Sequence, residues 1–264
     1  MVSAASIVAM GFTVLVSFVL PLAVPVFLCV TRRISGRVVL TGLSVFSIVQ
    51  LFIRVPLINW LSTTQWYAQL SQNLWLLGLL LALSAALLEN WGRYAGARFF
   101  VRGSSSYRDG LAYGLGHGGV EAFVVMGTNS LNNLTLALAV NSGSIENLSD
   151  TATAAQIEVV RTALIETPAV QFLMGGIERV LVMAVQIALS LIVFYGIRSS
   201  RRAWVWVAVA AQFAVNYPIV VLQNSSMWVV EGYLALCAAA AVVVIVKMRS
   251  VFARTPAAES MEEK

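Results

Sequence analysis

Seven apolar runs, each long enough to cross a lipid bilayer, govern what this chain can fold into. They lie near 4–30, 38–56, 73–92, 110–128, 179–197, 203–222 and 228–247. About 20 apolar residues in an α-helix span the hydrocarbon core. Backbone amides inside that core must find partners within the chain. The runs therefore predict an all-α fold, a polytopic membrane bundle of seven transmembrane helices. Composition agrees: 11% of the 264 residues are charged and 59% are hydrophobic, whereas soluble domains carry about 25% charged residues. Only Met1-Val2-Ser3 precede the first run. Without a basic leader it reads as a retained helix, not a cleaved signal, with Pro21 and Pro25 as candidate bends.

The net charge of +5 is distributed as an orientation signal. Arginines cluster in the connections 31–37, 93–109 and 198–202, and Lys247, Arg249 and Arg254 open the tail. The connections at 57–72 and 223–227 carry no charge, and 141–177 is net acidic. Basic connections mark the cytoplasmic side, so the N-terminus is expected outside and the C-terminus in the cytoplasm. The arginines sit in separate short loops, which speaks against nucleic acid as a partner. The bilayer itself is the expected partner, and the location a cell membrane crossed many times. We expect one transmembrane domain over 1–254, an extracytoplasmic loop at about 129–178 and a cytoplasmic tail at 255–264. Within the loop, Ile157, Val160, Leu164 and Ile165 are spaced for one face of an interfacial helix. Cys29 and Cys237 have no metal-ligand spacing and read as packing residues. No internal repeat supports an inverted-repeat transporter.

Ionisable groups inside a membrane are costly and usually functional. Arg54 and Glu231 lie near span ends and are expected to snorkel to the interface. Glu178 and Arg179 are expected at the outer start of the fifth span, capping it and pairing with another helix. Glu89 and Arg93 are four apart, a helix-stabilising pair or a carboxylate oriented by its arginine. His117, the only histidine, sits in Gly114-Leu-Gly-His117-Gly-Gly-Val-Glu121. On a helix His117 and Glu121 share a face. They could form half of a divalent metal site, a proton relay or a lock between helices. Four flanking glycines bring another backbone or a ligand close. Gln186, Gln212 and Asn216 are polar at mid-span and need partners there.

These residues, in this order, resemble the YhfC family of intramembrane metalloproteases, distantly related to the CAAX-processing membrane proteases. The resemblance rests on Arg54-Val-Pro-Leu, Glu89-Asn-Trp-Gly-Arg93-Tyr, Gly114-Leu-Gly-His117-Gly-Gly-Val-Glu121-Ala, and Glu178-Arg179 followed by Gln186-Ile-Ala-Leu-Ser. It covers nearly the whole chain. It implies metal-dependent hydrolysis of a peptide bond within the membrane, acting on a membrane peptide or protein. Carried over, Glu89 and Glu121 would be catalytic, and His117 and Glu121 would hold one divalent metal, zinc first. Arg93, Gln186, Gln212 and Asn216 would orient these groups or line the cavity. The family's later histidines fall at Gln186 and Gln212, and its following Asp or Asn at Asn216. Glutamine is a poor zinc ligand. The alternative is therefore a catalytically silent relative that binds a membrane peptide, lipid or partner protein.

Overall fold

The structure is a computed structural model, and it describes residues 1–101, 105–146 and 153–255. The described residues contain helices and no strands. Among the described residues, seven helices are long and apolar enough to cross a membrane, as the sequence predicts. We label the helices α1 (Ala4–Val30), α2 (Gly36–Ser62), α3 (Gln65–Ser71), α4 (Leu74–Phe100), α5 (Tyr107–Ser142), α6 (Ala154–Glu166), α7 (Ala169–Arg198), α8 (Ala203–Val221) and α9 (Met227–Arg254). All but α3 and α6 are spans. The chain is a multi-pass membrane protein.

Local chemistry sets the helix ends. Asn73 caps α4, its Oδ1 accepting from the amides of Trp75 and Leu76 at 3.0 and 3.3 Å. Thr153 and Gln156 form a reciprocal capping box that starts α6, two orphan amides being satisfied at once. Two spans contain a widened π-helical stretch, Ser47–Arg54 in α2 and Ala122–Gly127 in α5. In α2 the cause is Pro56, which has no amide hydrogen and crowds the preceding turn. The Val55 amide bonds to the Gln50 carbonyl, one residue beyond the α-helical register.

The structure corrects three boundary expectations. Helix α5 runs on to Ser142, and α7 begins at Ala169. The polar stretch Asn129 to Asn141 is therefore helical, and residues 129–142 and 169–178 of the expected 129–178 loop belong to spans. Glu178 lies over two turns inside α7 and does not cap it. It pairs instead with its neighbour, Arg179 Nη2 donating to Glu178 Oε1 at 2.7 Å. Arg54 does not simply snorkel, since its Nη2 donates to the Leu81 carbonyl at 2.8 Å and its Nε to Ser84 Oγ at 3.2 Å. The amphipathic segment does form a helix, α6, with Ile157 and Leu164 buried. Of the expected tail at 255–264, all but Thr255 lies outside the described residues.

The chain divides into two compact units, Met1–Ala23 with Glu121–Val180, and Val24–Val120 with Leu181–Lys264. In the first, Val2, Met10, Ala137 and Leu164 form the core. Asn141 pins the chain start there, accepting from the Val2 amide at 2.7 Å and donating to the Val2 carbonyl at 3.0 Å. Asn141→Ala removes both bonds. At roughly 0.5–1.5 kcal/mol per bond, the expected loss is about 1–3 kcal/mol. Hydrogen exchange should then quicken over residues 3–10, and unchanged exchange there would refute this role.

The second unit holds the larger core, including Val45, Val49, Tyr113, Leu191 and Phe194. Its α4 buries a single stripe: Gly78, Ala82, Ala85, Ala86, Glu89, Asn90, Arg93, Gly96 and Ala97. The three- and four-residue spacing makes one face. Small residues at both ends let neighbouring helices approach, and the middle of the stripe is polar.

A buried polar cluster as candidate functional site

The polar middle of α4 meets α5, α7 and α8. Glu89, Asn90, Arg93, His117, Gln186 and Gln212 are each at most 5% exposed. Arg93 lies at the centre, fully buried. Its Nη1 donates to Asn90 Oδ1 at 2.8 Å and to Gln212 Oε1 at 3.0 Å. Its Nη2 donates to Gln186 Oε1, lies 2.8 Å from His117 Nε2 and lies 3.4 Å from Glu89 Oε2. Gln212 Nε2 donates to Glu89 Oε2 at 2.8 Å, and Asn90 Nδ2 donates to Gln212 Oε1 at 2.7 Å. The two formal charges, Arg93 and Glu89, offset each other. A buried charge without such a partner costs several kcal/mol.

His117 Nε2 also lies 3.3 Å from Glu89 Oε2. A guanidinium has only donors, so towards Arg93 Nε2 acts as an acceptor. The ring proton of the neutral imidazole is then on Nδ1, which has no hydrogen-bond partner among the described residues. Aromatic rings fix the imidazole. Phe46 meets it edge-on with centroids 5.0 Å apart, and Tyr113 stacks on it at 6.3 Å and 25°.

The glycines explain how His117 reaches this depth. A Cβ on Gly116 would stand 2.0 Å from the Val39 carbonyl oxygen, and one on Gly114 would stand 2.6 Å from Ile187 Cα. Helices α2 and α7 therefore touch α5 backbone to backbone on either side of the histidine. No other residue type allows this approach.

Of the residues singled out in the sequence, Glu89, Arg93, His117, Gln186 and Gln212 converge on one cluster. The imidazole takes Glu89 and Arg93 of α4 as partners, not the carboxylate one turn along its own helix. Glu121 is half-buried where α5 passes into its π-helical stretch. Asn216, one turn beyond Gln212, is half-buried, and its side chain is outside the hydrogen bonds of the cluster. Asn90 is a member that the sequence reading missed. The signal was its place inside a span beside Glu89, where an amide also needs a partner.

The donor set can be tested against the metal that the resemblance implies. A zinc site takes three protein ligands and leaves a position for water. Among the described residues, no group of three His, Cys, Asp or Glu side chains converges as a ligand set. Carboxylate and imidazole supply two. The next two positions are amides whose oxygens accept from Arg93. The Nε2 lone pair that would bind metal also faces Arg93. In this arrangement the residues do not fit a divalent ion, because a guanidinium holds the point on which the ligands converge.

The sequence profile of the family described as YhfC intramembrane metalloprotease matches residues 16–234. A protein of Bacillus subtilis (strain 168), named as an uncharacterized membrane protein YhfC, is 32% identical over 257 residues. That alignment covers 96% of this chain and all of the relative. No solved structure matches.

Proposed function

The chain belongs to the YhfC intramembrane metalloprotease family, and from that premise we propose that it hydrolyses peptide bonds within the membrane at the Glu89–His117 pair. The observation that carries this reading is the approach of Glu89 Oε2 to His117 Nε2, 3.3 Å apart in a fully buried polar cluster. Burial on this scale strengthens electrostatic effects on a reacting group. No step needs a metal. Glu89 takes a proton from water as the water oxygen bonds to the carbonyl carbon. The carbonyl oxygen gains the negative charge and faces the Arg93 guanidinium, a permanent cation in the place the family's name gives to a metal ion. Gln186 and Gln212 hold that guanidinium in place. The proton then passes to the leaving nitrogen as the C–N bond breaks, with His117 beside the path, and an acid and an amine are released. The members are sealed from outside, so substrate reaches them only when the helices part. The substrate is a membrane peptide or membrane protein segment.

The test uses purified protein in liposomes with a pool of transmembrane peptides, new termini being read by mass spectrometry. Glu89→Gln and His117→Ala are each expected to lower cleavage about 10²-fold or more, the scale of general acid–base catalysis. Metal analysis of the purified protein should find substoichiometric zinc, and chelators should leave cleavage unchanged. Cleavage that survives Glu89→Gln would end the proposal and leave the cluster as a lock between helices. Stoichiometric zinc released together with activity would end the metal-free mechanism.

A further inference from the structure

A second polar feature of the same unit lies at the span ends. It is an open pocket of about 510 Å³ where α1 and α7 finish and α5 begins. At about 30 Å³ per water in the liquid, it has room for much more than a few solvent molecules. Arg32, Arg33, Arg108 and Arg198 line it, against a single carboxylate, Asp109.

That carboxylate is already engaged. Asp109 Oδ2 accepts from the Ser106 amide at 3.0 Å and from its hydroxyl at 2.5 Å. Arg198 is fixed, its Nε donating to the Thr255 carbonyl at 2.6 Å and its guanidinium standing 5.9 Å above the Phe252 ring. Arg32, Arg33 and Arg108 enter no ion pair among the described residues.

The backbone gives an independent indication. Arg32 has φ 55°, a left-handed conformation. It follows the end of α1, with the Arg33 amide bonded back to the Leu28 carbonyl at 2.8 Å. Glycine is the usual residue at such a helix end, because L side chains are strained there. An arginine at this position contributes its side chain to the pocket despite the strain.

Four guanidiniums around one cavity repel each other unless an anion sits among them, and their fork geometry matches phosphate oxygens. The pocket is at headgroup depth, since Arg198 is the last residue of α7, Arg108 the second of α5, and Arg32 two residues beyond α1. We propose that this pocket binds a phosphate-bearing anion, supplied by the headgroup of an anionic phospholipid. Basic pockets between helix ends are a recurrent form of lipid-headgroup site. The anion would tie the connections before α2 and α5 to the end of α7, independently of any chemistry at Glu89 and His117.

Native mass spectrometry of the full chain in neutral detergent tests this, with added phosphatidylglycerol, phosphatidylcholine or inorganic phosphate. One phosphatidylglycerol per chain is expected to stay bound and phosphatidylcholine to be lost. Arg32→Gln with Arg108→Gln should weaken phosphatidylglycerol binding by about tenfold or more, as charge-assisted bonds are lost. Arg37→Gln with Arg249→Gln removes as much charge outside the pocket and should leave binding unchanged. If the glutamine pair fails to fold, Arg32→Lys with Arg108→Lys keeps the charge and should still weaken binding through loss of the fork geometry. Equal loss in the two glutamine pairs would reduce the pocket to a general surface charge and overturn the proposal. So would equal retention of the two lipids. Displacement of the lipid by millimolar inorganic phosphate would overturn the lipid source and keep the phosphate site.

Discussion

Arg93→Met lowers the stability of the detergent-solubilised protein by about 3–5 kcal/mol, the cost of removing one partner from a buried ion pair. The change leaves Glu89, 5% exposed, without its counter-charge. It also removes the donor shared by Asn90, Gln186, Gln212 and His117. Methionine fills a similar volume, so the loss is electrostatic and not a cavity effect. The companion measurement is Arg93→Met together with Glu89→Gln. A neutral amide at 89 no longer needs the cation, and the Gln212 amide nitrogen has lost only a charge-assisted bond. The double variant should recover much of the loss, though the amide oxygens at 90 and 186 still lack the Arg93 donor, while that at 212 keeps Asn90 Nδ2. Thermal midpoints of the four proteins form a double-mutant cycle with strong positive coupling. Additive single and double losses would mean that Arg93 and Glu89 are not a unit.

Gly116→Ala is the second large effect. The added methyl carbon would stand 2.0 Å from the Val39 carbonyl oxygen. The obstacle is backbone, so no rotamer change relieves it, and α2 and α5 must separate by about 1.5 Å to restore an ordinary contact. Overpacking typically costs about 1–3 kcal/mol, and this site is expected at or above the upper end. Separation also pulls His117 away from Arg93 and Glu89, so cleavage should fall with stability. A graded series tests the argument. Gly118→Ala meets the Gln186 side chain at 3.1 Å and the Met183 Cα at an ordinary 3.5 Å, and should cost less. Gly232→Ala and Gly11→Ala meet nothing within 4 Å and should be neutral, or stabilising by up to about 1 kcal/mol through helix propensity. Equal effects across the series would refute the close-approach account.

Much of the site was legible in the chain because polar groups are conspicuous in apolar runs. Glu89, Arg93, His117, Gln186 and Gln212 stand out for that reason, and a bilayer forces such groups to find each other. The glycines around His117 are readable on the same logic, since four in six positions have little use other than close approach. What spacing misjudged was partnership. His117 and Glu121 share a helical face, yet the imidazole's bonds go to α4, because a neighbouring helix can bring a carboxylate and a guanidinium to bear at once. Glu178 and Arg179 resemble a helix start because the apolar run begins there. The helix actually begins ten residues earlier, since intrahelical bonding tolerates residues that a hydropathy window does not.

The sequence by itself determined that the chain is a seven-span helical membrane protein, which side chains are too polar to face lipid, and where helices could approach most closely. These follow from the bilayer, which acts on every residue alike and leaves few choices. Tertiary structure alone decided that Arg93 stands at the centre, with the site's carboxylate, imidazole and amides turned towards it. Four helices converge there, and a long side chain can reach across their junction. Which group fills such a point depends on distances between elements far apart in the chain, and no local pattern encodes those distances.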